Sequence, residues 1–140
     1  MMEQLSRDSA RVEASAGARA MAVAAIALCA LAPATAAAVS CEWAVRFATE
    51  IVDNAERAIA SEDYIPARRA ASDTRSIAID VAREGKACGC PAVTPLMEQV
   101  AQQAIYAINA QNLTAARQYA AKIKEYGVAA LDVLSKCPGT

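Results

Sequence analysis

The chain has 140 residues, enough for one domain, with 14 basic and 15 acidic residues and no histidine. The near balance of charge gives no electrostatic footing for nucleic acid or anionic lipid. The missing histidine removes the commonest general base and the commonest metal ligand.

The N-terminus reads as a secretion signal. Arg7, Arg11 and Arg19 precede an apolar run, Ala20 to Ala32, which gives way to Pro33 and a string of small residues. Ala34-Thr35-Ala36 and Ala36-Ala37-Ala38 both satisfy the small-x-small rule for cleavage. The division expected is a cleaved signal over residues 1–38 and a helical domain over 39–140 that is periplasmic or secreted. An uncleaved anchor is the alternative, since Ala20 to Val39 approaches a spanning length. Against it, alanine adds little hydrophobic drive and Pro33 interrupts the run. Lipid attachment at Cys41 is a further alternative. Alanine stands where leucine is usual in such signals, and Cys41 lies well beyond the apolar run.

In the remaining chain, Ala44, Phe47, Ala48, Ile51, Val52, Ala55, Ala58 and Ile59 recur at steps of three and four and predict a first helix, with Ser40 as its cap. Asp63 can cap a second helix, whose first turn tolerates Pro66. Its stripe is Ala67, Ala70, Ala71, Thr74, Ile77, Ala78 and Val81, and Gly85 suits its end. Thr94 and Pro95 open a third helix with Met97, Val100, Ala101, Ala104 and Ile108 inward. Asn112 caps a fourth, and Pro138 follows it. No stretch alternates with period two for long, so no sheet is expected. Alanine stripes let helices approach closely but bury little area. Trp43, Phe47, Ile51, Ile59, Ile77, Leu96, Met97, Val100, Ile108, Ile123 and Leu134 must therefore supply most of the core.

The halves look like copies. Cys41 and Cys90 are 49 positions apart, as are Cys88 and Cys137. The same offset lays Ala58-Ile59 on Ala107-Ile108 and Ala67-Arg68 on Ala116-Arg117. Signal cleavage would remove Cys29 and leave an even set of four cysteines, which in an exported chain favours disulfides. A first hairpin leaves Cys41 and returns to Cys88; a second leaves Cys90 and returns to Cys137. Pairs Cys41–Cys88 and Cys90–Cys137 would staple each hairpin at its open end. In such a bundle all four thiols lie at one end, so other arrangements stay open. These are crossed pairs, a four-thiolate zinc or copper(I) site on Cys41, Cys88, Cys90 and Cys137, or a Cys88–Cys90 redox pair with a Cys41–Cys137 staple.

No catalytic constellation stands out. Acid pairs such as Asp53 with Glu56 and Asp80 with Glu84 read as solvated charges. Glu42 with Arg46, Glu50 or Asp53 with Arg57, and Asp132 with Lys136 read as helix-supporting pairs. Tyr64, Tyr106, Tyr119 and Tyr126 read mostly as core or half-buried, any exposed one suiting a partner surface. No enzyme activity and no cofactor are expected.

The stretch from Ala58 to Ala71, "AIASEDYIPARRAA", and more faintly Ala107 to Ala121 are similar to the middle of a tetratricopeptide repeat. The resemblance implies a helical hairpin of similar local packing. The fold expected is all-α, a four-helix bundle of two duplicated, disulfide-stapled hairpins. The function expected is that of a non-enzymatic protein-interaction module of the bacterial cell envelope: an adaptor, an inhibitor or an immunity-type protein. Its partner would be another protein, with no nucleic acid, and no membrane after signal cleavage. Metal or redox handling by the cysteine cluster is the alternative.

Overall fold

The computed structural model describes residues 39–138; the secretion signal expected over 1–38 lies outside the described residues. Four helices follow one another: α1 (Glu42–Ala60), α2 (Tyr64–Ala87), α3 (Thr94–Ile108) and α4 (Leu113–Ser135). A single 3-10 turn, Pro91–Val93, precedes α3, and no strand occurs among the described residues. Helix α1 packs on α2 and α4, and α3 packs on the same two, while α2 and α4 touch across the middle. The result is a bundle in which every helix buries one stripe against two neighbours.

Local chemistry sets the helix ends. Ser40 Oγ accepts from the Glu42 N–H at 3.1 Å, although Cys41 occupies the capping position itself. Asn112 accepts from the Ala115 N–H at 2.8 Å, satisfying one of the orphan donors of α4. Asp63 precedes α2 but makes no capping hydrogen bond. Asn112→Ala is therefore expected to cost about 1 kcal/mol, and Asp63→Ala much less, as read from urea unfolding midpoints. Thr94, expected as a cap, lies inside α3 because the 3-10 turn carries the chain directly into the helix. Helix α2 runs past Gly85 to Ala87, and Gly85 is buried against Val93 rather than ending the helix. The reversal falls instead on Gly89, whose φ of 82° lies in the left-handed region that glycine adopts without steric cost.

The core has two parts. At the cysteine end and middle it holds Ile51, Val81, Val93, Met97, Val100, Ile123 and Leu134. At the other end, beneath the two interhelical loops, the buried side chains are all alanine: Ala58, Ala67, Ala110, Ala116 and Ala120. Tyr64, Leu113 and Tyr119 close its edges. There the hairpins also hold each other by polar bonds. Arg117 of α4 donates to the Ser61 carbonyl in the α1–α2 loop, with Nε at 3.1 Å. Tyr64 of α2 donates its hydroxyl to the Ala110 carbonyl in the α3–α4 loop. Ser61 and Ala110 are themselves 49 positions apart.

Burial follows the same offset. Ala44 and Val93, Ala48 and Met97, Ile51 and Val100, Ala55 and Ala104, Ala67 and Ala116, and Ala71 and Ala120 are all buried. Helices α1 and α4 meet over Gly127, where a Cβ would stand 3.0 Å from Val52 Cγ2 and 3.2 Å from Ile51 Cγ2. Trp43 departs from the expected core. It is 55% exposed, one position before the buried Ala44 and so off the inward stripe.

Candidate functional site

Three features have chemistry beyond packing: the cysteine end, the outer face at the start of α1, and a cleft between α1 and α2.

The antiparallel run of the helices brings all four cysteines to one end. Cys41 and Cys88 sit at disulfide distance with Cα atoms 5.2 Å apart, and Cys90 and Cys137 likewise with Cα atoms 5.7 Å apart. Each pair joins the start of one hairpin to its end, so neither links the two hairpins. Among the described residues, no group of three or more histidine, cysteine, aspartate or glutamate side chains is placed to hold a metal ion. No described helix is long and apolar enough to cross a membrane. The cysteine pairs are compatible with an oxidising compartment.

Beside the Cys41–Cys88 pair, Trp43 lies on the surface. The Arg46 guanidinium sits over its ring at 5.3 Å, and the Phe47 ring is 5.9 Å away and tilted by 32°. Arg46 thus takes an aromatic partner rather than the Glu42 expected from their spacing; a cation over a tryptophan face is worth about 0.5–1 kcal/mol at an exposed site. Of the helix-supporting pairs expected, Asp132 with Lys136 forms at 2.6 Å. On α2, Arg83 bridges Asp80 and Glu84. The side-chain hydrogen bond to Glu84, followed by the charge of Asp80, raises the Arg83 guanidinium above its ordinary value.

The open cleft between α1 and α2 has a volume of about 240 Å³ and is lined by Asn54, Arg57, Ile65, Pro66, Arg69, Ala70 and Asp73. Its floor is unusual. Asn54 is only 2% exposed, yet it stands on the inward stripe of α1, three residues after Ile51 and four before Ala58. Arg57 donates to its Oδ1 from one turn along the helix. The amide nitrogen, Nδ2, is buried and has no acceptor. A buried donor left without a partner costs about 1–3 kcal/mol. Asn54→Leu should therefore raise stability by about 1 kcal/mol, measured by thermal or urea unfolding; a loss of that size would show that Nδ2 is satisfied by ordered solvent.

Sequence reasoning placed the four cysteines together but passed over Asn54. The signal was present, since an asparagine on an otherwise apolar stripe is a polar group held in a core position. Sequence spacing pairs Arg57 with Glu50 or Asp53, whereas the structure turns it to Asn54. The chain matches no protein-family model, no curated protein and no solved structure.

Proposed function

We propose that this is a small exported, non-enzymatic helical protein that binds another protein of the bacterial cell envelope, in the manner of an adaptor, an inhibitor or an immunity-type protein. The observation that carries the reading is the Trp43 cluster: an exposed tryptophan and arginine beside the half-buried Phe47, on a bundle whose core is mostly alanine. Tryptophan and arginine are the side chains most enriched at the energetic centres of protein interfaces. A disulfide partner, Cys41, lies two residues before Trp43 and anchors the start of α1. The cluster is thereby held with little conformational freedom to lose on binding.

Export to the periplasm or beyond fits the signal-like N-terminus and the paired cysteines. We also infer that the two hairpins are a diverged duplication. The support is the shared offset of cysteines, of buried positions and of the two loop carbonyls, Ser61 and Ala110, that each accept a bond from the opposite hairpin.

The test uses the mature oxidised protein as bait in envelope extract, alongside Trp43→Ala. Trp43→Ala is expected to lower stability by about 1 kcal/mol, the loss of the Arg46 and Phe47 contacts, without unfolding the domain, and to lose the captured partner. Equal capture by both proteins, or capture by neither, would count against the reading. A free-thiol titration separates it from metal or redox handling: four blocked cysteines support a scaffold, and thiols that take up zinc or copper(I) stoichiometrically support a site.

A further inference from the structure

We propose that the cleft between α1 and α2 is a binding site for a carboxylate that carries a short apolar group. Four observations converge on that chemistry. The first is the orientation of Asn54. Because Arg57 is a donor, it must face the amide oxygen, so Nδ2 is the end left without an acceptor. A ligand oxygen supplies what this donor lacks, once the exposed Arg57 side chain swings aside or turns to share the same oxygen.

The second is charge. Arg57 and Arg69 line the cleft against a single acid, Asp73, and none of the three belongs to an ion pair among the described residues. The balance favours one negative charge over two, and it disfavours a cation. A guanidinium presents its donors in a fork that matches a carboxylate. The third is the backbone. Ile65 and Pro66 bring the first turn of α2 to the cleft, that turn contains no acidic residue, and Asp63 leaves it without a side-chain cap. The positive end of the helix dipole favours an anion there, less the offset from the Glu62 and Asp63 carboxylates just before the helix. The fourth is size and lining. About 240 Å³ accommodates one ligand of amino-acid dimensions, and Ile65, Pro66 and Ala70 supply an apolar wall.

The second hairpin has no counterpart. At the offset of 49, Asn54, Arg57, Arg69 and Asp73 fall on Gln103, Tyr106, Gln118 and Lys122. The pair of guanidinium groups beside an amide is thus confined to one hairpin, whereas the buried alanines are common to both. The proposal rests on this cleft alone and is independent of the Trp43 surface.

Two sources present this chemistry: a free small acid and the C-terminus of a peptide. The experiment is a ¹⁵N NMR titration of the mature oxidised protein with isovalerate, N-acetyl-leucine and N-acetyl-leucinamide. Both acids are expected to shift the Asn54 side-chain amide and the backbone amides of Ile65 and Arg69 saturably. The neutral amide should bind at least about tenfold more weakly. Arg69→Gln, a surface change, should weaken both acids about tenfold with an otherwise unchanged spectrum. Asn54→Leu should abolish the shifts. Tighter binding of N-acetyl-leucine than of isovalerate identifies a chain terminus, and equal or weaker binding a free acid; both support the site. The proposal is overturned if neither acid saturates below about 10 mM, if the amide binds as well as the acids, if inorganic phosphate binds better, or if Arg69→Gln binds unchanged.

Discussion

Replacing Cys41 and Cys88 by alanine is expected to lower the stability of the oxidised domain by about 4 kcal/mol, and replacing Cys90 and Cys137 by the same amount. The equality follows from the sequence separation, which is 47 for both pairs. In the chain-entropy model the effect depends on loop length alone. Typical domains have about 5–15 kcal/mol in all, so either loss is a large fraction and both together approach the whole. The reason for such dependence lies in the core. Beneath the loops every buried side chain is alanine, and each contributes little apolar area. Urea unfolding of the two paired variants and of the fully reduced protein, followed by circular dichroism, measures this. Reduced and oxidised protein unfolding at the same urea concentration would remove the stapling role altogether.

The second large effect belongs to the seam between the hairpins, which the sulfurs do not cross. Gly127→Leu is expected to cost about 3 kcal/mol, because the first added carbon already stands 3.0 Å from Val52 and 3.2 Å from Ile51. Ile51 is fully buried, and Ile51→Ala alone should cost about 2–5 kcal/mol by leaving a cavity. Combined, the two changes should cost at least about 1 kcal/mol less than their sum, since the new leucine enters the space that isoleucine vacates. Urea midpoints of the three variants decide it. Strict additivity would mean that α1 and α4 part locally instead of sharing one packed seam.

Much of this architecture was legible in the residue pattern. Steps of three and four placed all four helices, and the Asn112 cap fell where expected, because these signals are local. The stripe residues Ile51, Met97, Val100, Ile123 and Leu134 are buried as the periodicity required. Hydrophobicity alone points Trp43 inward; its position off the stripe, and the cation available from Arg46, put it outside. The seam over Gly127 was not legible, because a glycine within a helix acquires meaning only from the neighbour it admits, here Ile51 and Val52 of another helix. The same holds for the cleft. Its lining combines Asn54 and Arg57 of α1 with Ile65, Arg69 and Asp73 of α2, and only the packing of the two helices brings them together.

With both cysteine pairs closed as disulfides, their placement would also govern what a protease can release. A cut in the exposed Glu62–Asp63 turn leaves its two products joined through Cys41 and Cys88, and a cut beside Gln111 leaves its products joined through Cys90 and Cys137. Within the segment from Cys41 to Cys137, only scission at Gly89 divides the molecule into two covalently separate closed rings. In surroundings rich in hydrolases, a nicked copy would gain only a water in mass and keep its helical partners, and damage to either distal loop would leave the pieces together until a reductant arrived.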